Sequence, residues 1–144
     1  MRVSHIGICV SDWKRSLRFY HDVLGFRYVH EREAKGEPSD TLLRLTGVSL
    51  REVYLEREGV RLGLLYYDSP GQTGDGEPRP MNQLGLTHLS LRVDDLDAML
   101  AEIEAAGVRV LRDTRIEIPA ARTKAAFITD PDGTLIELVQ QPGD

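Results

Sequence analysis

An α+β fold made of two tandem βαβββ modules is predicted by three features of the chain. The first is an internal repeat. Residue 5 laid on residue 88, an offset of 83, matches Ser4-His5-Ile6 to Thr87-His88-Leu89, Val10 to Val93 and Asp12 to Asp95. The ends of the two halves align at an offset of 74, with Gly59 on Gly133, Leu62 on Ile136, Gly63 on Glu137 and Leu64 on Leu138. Self-similarity of this kind reports fold before any single element is argued. The second feature is a switch from strand to helix periodicity in each half. The third is a stretch from Asp68 to Gly85 that holds Pro70, Pro78 and Pro80 among four glycines and reads as a connector. These features divide a single domain, 1–144, into module one (1–67), connector (68–85) and module two (86–144).

Each element follows from local chemistry. From Ser4 to Val10, Ile6, Ile8 and Val10 share one face and His5, Gly7 and Cys9 the other, the alternation of a half-buried strand. Asp12 stands where a helix wants an N-cap, Trp13, Leu17, Tyr20 and Leu24 make one apolar stripe, and Gly25 ends it. Module two repeats the plan with Asp95 as cap, Leu96, Leu100 and Ile103 as stripe, and Gly107 as stop. Strands are predicted at Arg27 to Arg32, Leu50 to Glu56 and Arg61 to Tyr67. Their counterparts are Arg109 to Leu111, Lys124 to Thr129 and Thr134 to Gln140. Asp130-Pro131-Asp132-Gly133 is a hairpin turn by composition. The extra length of module one falls within Glu33 to Val48, whose Gly36, Pro38 and Gly47 suggest a loop that could act as a lid.

Composition narrows the functional classes. A chain of 144 residues that is 41% hydrophobic suits one domain with its own core. A net charge of −5, with basic residues scattered singly, argues against a nucleic-acid surface. The single cysteine, Cys9, excludes an intramolecular disulfide framework, and the strand-like start without an apolar leader points to a soluble cytoplasmic protein that contacts no membrane.

The two modules, the opening Ser4-His5-Ile6-Gly7-Ile8 with Phe19-Tyr20 and Leu24-Gly25-Phe26, and the closing Asp130-Pro131-Asp132-Gly133 with Glu137-Leu138 resemble the vicinal oxygen chelate superfamily. That superfamily includes glyoxalase I, methylmalonyl-CoA epimerase, extradiol dioxygenases, fosfomycin-resistance enzymes and bleomycin-binding proteins. The resemblance covers nearly the whole chain. It implies a cupped, incompletely closed mixed β-barrel and one divalent metal ion (Fe, Mn, Ni, Co or Zn) held by residues on the first and last strand of each module. Carried over position by position, the ligands are His5, His88 and Glu137. The fourth position is Gly63, which has no donor atom; an octahedral ion would keep about three places open to water or substrate. Two imidazoles and a carboxylate leave such an ion with a free face for a substrate bearing neighbouring oxygens. A lone strand histidine is more often a hydrogen-bonded group than a ligand, but three fitting residue types stand here at repeat-related positions. Glu137, flanked by Leu135 and Val139, would also be costly to bury unpaired.

The implied activity is a metal-dependent reaction on a small oxygen-chelating substrate, of dioxygenase or lyase/isomerase type. The competing class is a metal-free binding protein of the bleomycin-resistance kind. Ring cleavage lacks support from Arg122 to Phe127, which offers neither the His nor the Tyr that extradiol enzymes carry in that run. Family members often dimerise, some building each site from two chains, so a homodimer is expected. By strand alternation, Ser90 and Arg92 share the face of His88, while Arg61, Leu65 and Tyr67 share that of Gly63; all are candidates for touching substrate. Arg92 could grip an anionic group, and His30 could move a proton. Cys9 reads as a small hydrophobe and His21 as a solvated helix residue.

Overall fold

The computed structural model describes residues 1–143. The chain divides into two compact units, Met1–Gly74 and Asp75–Asp144. Unit one contains β1 (Ile6–Cys9), α1 (Trp13–Arg18), β2 (Arg27–Lys35), α2 (Glu37–Leu43), β3 (Ser49–Arg57) and β4 (Val60–Ser69). Unit two contains β5 (Leu89–Arg92), α3 (Leu96–Ala105), β6 (Val110–Ile118), β7 (Thr123–Thr129) and β8 (Leu135–Gln140). Each unit holds one four-stranded sheet, ordered β1-β4-β3-β2 in the first and β5-β8-β7-β6 in the second. In both, the first strand lies parallel to the last and the other pairs are antiparallel. These are the two expected βαβββ modules.

The ladders reproduce the repeat residue by residue. Gly7 pairs with Gly63 in β1 and β4, and Ser90 pairs with Glu137 in β5 and β8. Both pairs obey the offsets of 83 and 74 read from the sequence. The helices cover one face of each sheet. α1 packs on β4, and Val10, Tyr20, Phe26, Val53, Leu55, Leu62 and Leu64 form the core of unit one. α3 packs on β7 and β8 and buries Leu96, Leu100 and Ile103 against Ala126, Ile128, Ile136 and Leu138. Strand alternation therefore puts His5, Gly63 and Tyr54 in unit one, and Glu137 in unit two, on the faces away from these cores.

The caps form as expected. Asp12 accepts the Lys14 and Arg15 amides at 3.0 Å each, and the Arg15 amide above all holds its carboxyl below the usual range. Asp95 accepts the Ala98 amide at 3.0 Å. In the turn, Asp130 accepts the Asp132 and Thr134 amides at 2.9 and 2.8 Å. Gly133 there has φ +86°, and a Cβ on it would lie 2.4 Å from the Gly76 carbonyl oxygen.

Three expectations differ from the structure. The single helix predicted from Trp13 to Leu24 stops at Arg18 and continues as a wider π-type turn, Phe19–Val23, in which the Leu24 amide reaches the Phe19 carbonyl at 3.1 Å. The buried side is accordingly Ser16, Phe19, Tyr20 and Leu24, with Trp13 under the Arg51 guanidinium at 4.9 Å. The predicted loop from Glu33 to Val48 contains the last residues of β2 and all of α2. No residue of α2 is buried, so it carries no apolar stripe to betray it; Asp40 instead ties it down by accepting the Gly47 and Val48 amides at 2.8 and 2.7 Å. β6 runs on to Ile118 rather than ending at Leu111. Its pairing with β7 is interrupted between Leu111 and Ile116, where Thr114 accepts the Phe127 amide at 2.8 Å, and this break blurs the alternation.

Candidate functional site

Each unit presents candidate residues on the open face of its sheet. In unit two, His88 stands just before β5, and its Nδ1 lies 2.8 Å from the Thr87 hydroxyl. Its Nε2 points to Glu137, 3.8 Å from Oε2, and the two side chains are 29% and 28% exposed. The Ser90 hydroxyl donates to the same Glu137 oxygen at 2.6 Å. Phe127, the register partner of Glu137 on β7, meets the His88 ring edge-on at 5.5 Å. The carboxylate is thus neither unpaired nor freely mobile.

In unit one, His5 is held in the same manner, with Nδ1 3.1 Å from the Ser4 hydroxyl. Both histidines therefore occupy Nδ1 with the preceding hydroxyl and offer Nε2 outward, the orientation that outer partners impose on metal-binding imidazoles. Gly63, the position where the fourth ligand was expected, lies beside two rings. A Cβ on Gly63 would lie 3.0 Å from His5 Cδ2 and 3.5 Å from Tyr54 Cε1, so two rings crowd over the bare backbone. Beside it, Gly7 leaves room for Leu65, whose Cδ1 would be 3.2 Å from an added Cβ. Where unit two pairs Ser90 with Glu137, unit one pairs glycine with glycine: carboxylate and hydroxyl donor are missing together.

Tyr54 organises the rest of this face. It meets His5 edge-on at 5.1 Å, stacks on His30 at 4.6 Å and 21°, and lies under the Arg32 guanidinium at 5.7 Å. Arg32 Nε donates to Glu52, which is 5% exposed. Burial, reinforced by the Glu52 charge, raises the Tyr54 phenol above its usual value. Sequence reasoning found His30 but missed Tyr54, Arg32 and Glu52. The available signal was Glu52 itself, a carboxylate alternating with Leu50 and Tyr54 on an otherwise apolar strand face.

The remaining candidates fall in varied settings. Arg61 is tied to Glu56 at 3.2 Å. Tyr67 pairs with Leu50, and its phenol is pushed up first by burial and then by charge at Cys9 and Glu52. Arg92 closes β5 opposite Val139 and is exposed. Cys9 is exposed, so it is no core residue; it faces the open side of β1. His21 is half exposed and lies 2.6 Å from Asp22.

The donor set suits a divalent ion. Two donors each about 2.1 Å from one ion lie roughly 3–4 Å apart, and the 3.8 Å between His88 Nε2 and Glu137 Oε2 falls in that interval. Among the described residues no group of three or more His, Cys, Asp or Glu side chains is assembled that could hold a metal. Unit two displays a His–Glu pair, and unit one a single His with its Nδ1 engaged.

A family model, Glyoxalase/Bleomycin resistance protein/Dioxygenase superfamily, matches residues 2–138. The chain is 31% identical over 142 residues to the Escherichia coli protein described as "Uncharacterized protein YaeR", covering 97% of this chain and 96% of that one. It is 30% identical over 143 residues to a Haemophilus influenzae protein named lactoylglutathione lyase, covering 97% and 93% of the two chains. Among solved structures, a glyoxalase family protein from Bacillus cereus superposes with a TM-score of 0.83 at 19% identity, covering 99% and 95%. The fosfomycin resistance protein FosX from Listeria monocytogenes superposes with a TM-score of 0.65 at 15% identity, covering 99% and 94%. At such identities these two structures speak for the fold.

Proposed function

The chain belongs to the Glyoxalase/Bleomycin resistance protein/Dioxygenase superfamily, and from that premise we propose that it is a divalent-metal-dependent enzyme of lyase or isomerase type. Its substrate is a small molecule that chelates the ion through neighbouring oxygens. The observation that carries the reading is the His88–Glu137 pair, whose donors stand 3.8 Å apart while Thr87 engages the far nitrogen of His88 and Ser90 bonds the same Glu137 oxygen. His5, oriented alike by Ser4, is the third ligand in this reading. When bound, the ion supplies Lewis-acid polarisation of the substrate oxygens.

The protein's own groups do the rest. Ser90 holds the Glu137 carboxylate in one rotamer, and the Thr87 and Ser4 hydroxyls engage the two Nδ1 atoms, which leaves both Nε2 atoms for an ion. Phe127 walls the His88 ring on one side and offers no acid or base, which favours lyase or isomerase chemistry over ring cleavage. Relatives named lactoylglutathione lyase at about the same identity support that choice. His30, one ring away from His5 across Tyr54, is the proposed proton-moving group. The proposed working form is a cytoplasmic homodimer.

The test is metal analysis of protein purified without added metal, followed by turnover assays on candidate 2-oxo and 2-hydroxy substrates before and after EDTA. One equivalent of metal and activity lost on chelation and restored by Ni(II), Co(II), Mn(II), Fe(II) or Zn(II) is expected. His5→Ala should lose both metal and turnover with the fold intact. Substoichiometric metal together with undiminished ligand binding in EDTA would replace the enzyme with a sequestering protein.

A further inference from the structure

We propose that Arg32, locked by Glu52 and Tyr54 on the open face of the first sheet, forms an oxyanion subsite that receives a carboxylate or phosphonate group of the ligand. The argument starts from an asymmetry in burial. The Glu52 side chain is 7% exposed, while the Arg32 side chain that it holds is 59% exposed. A buried carboxylate is costly unless it is bonded, and this one is satisfied by Nε of a guanidinium whose remaining edge faces outward. Such a pair adds little to stability compared with a well-packed apolar pair of the same volume. What it does accomplish is to fix a planar, permanently charged fork in one orientation.

One further contact holds the fork. Arg32 lies over the Tyr54 ring at 5.7 Å, and the tyrosine is itself clamped by His30 stacked at 4.6 Å and His5 edge-on at 5.1 Å. Cross-strand register puts Arg32 opposite Glu52 and His30 opposite Tyr54, and Tyr54 opposite Gly63, so all share the sheet face of His5. A pre-oriented arginine loses less freedom on binding an oxyanion than a free one would, and a fork matches two oxygens of one anionic group. Arg61 and Arg27, also on this face, are both directed to Glu56, at 3.2 and 3.6 Å. The ligand class is therefore an anion whose charged group reaches Arg32 while its neighbouring oxygens lie toward His5. The inference rests on the proposed function only for calling that ligand a substrate.

The subsite can be tested without substrate or metal. EDTA-treated full-length protein is titrated with inorganic phosphate and with acetate, and arginine Nε–H resonances are followed by NMR, with chloride at matched ionic strength as control. A saturable shift of the Arg32 signal with phosphate or acetate and none with chloride is expected, and the tighter anion indicates which group the subsite prefers. Arg32→Gln alone would leave Glu52 unpaired and could unfold the chain, so the variant used is Arg32→Gln/Glu52→Gln, which keeps the shape and a neutral hydrogen bond. It should retain the native circular dichroism and bind both anions at least about tenfold more weakly. Because the titration uses EDTA-treated protein, loss of the metal reading leaves this result standing. Anion affinity in the double variant equal to wild type, an Arg32 shift that chloride reproduces, or no shift at all would overturn the subsite.

Discussion

Replacing Ser90 by alanine isolates a contact that unit two has and unit one, with Gly7 in its place, lacks. The Ser90 hydroxyl donates to Glu137 Oε2 at 2.6 Å, a short bond to a carboxyl oxygen. Hydrogen bonds to charged groups contribute about 1.5–3 kcal/mol. The Glu137 side chain is 28% exposed, so water replaces part of the lost bond and the lower end applies. A loss of about 1.4 kcal/mol in holding the carboxylate corresponds to roughly tenfold weaker metal binding, at the lower edge of the 10–100-fold range for partners of metal ligands. Calorimetric titration of Co(II) or Ni(II) into EDTA-treated, dialysed protein measures it. Ser90→Thr, which keeps the hydroxyl on a strand-compatible side chain, should restore affinity to near wild type. Equal affinities for wild type and Ser90→Ala would refute the claim that this hydroxyl positions Glu137. Threonine failing to rescue would show that the lost affinity came from packing instead.

Further outcomes follow from particular contacts. Gly133→Ala forces a positive φ on a residue with a Cβ and sets that Cβ 2.4 Å from the Gly76 carbonyl oxygen; a loss of about 2–4 kcal/mol in urea unfolding at unchanged m-value is expected. Gly63→Ala places a methyl 3.0 Å from His5 Cδ2; the imidazole must yield by a few tenths of an ångström, so metal affinity should fall several-fold by the same calorimetry while Gly59→Ala, where no atom lies within 4 Å, leaves it unchanged. Gly63→Glu should instead raise metal affinity by adding a carboxylate, since Glu137 already stands beside His88 and Phe127 in unit two; unchanged affinity would show the position to be wrongly assigned. Asp97 is held well below the usual carboxylate range, first by its hydrogen bond with Arg115 and then by Lys124. Since its folded-state value is depressed, its contribution is present above the unfolded value of about 4 and is lost as pH falls below it. Stability measured by urea against pH should therefore decline less steeply below about pH 4 in Asp97→Asn than in wild type.

The contrast between the open faces of the two units shows how far a sequence can be read. The repeat, its offsets and the strand faces were legible because they rest on local rules. Period-two alternation, an Asp before each helix and a Gly after it identify elements within a few residues, and Gly7 with Gly63 and Ser90 with Glu137 pair as those rules predict. Elements that bury little escaped: α2 has no buried residue, and β6 is interrupted by Thr114.

By itself the sequence determined that His5, His88 and Glu137 stand at equivalent places and that Gly63 lacks a donor. Only the tertiary structure decided what that glycine is for. It admits the rings of His5 and Tyr54, and Tyr54 in turn carries His30 and Arg32, with Glu52 beneath. These partners come together through the register of β2 on β3 and β3 on β4. Arg32 and Glu52 are separated by 20 residues. Side-chain contact across strands depends on that pairing and on ring orientation, for which one-dimensional patterns contain no term.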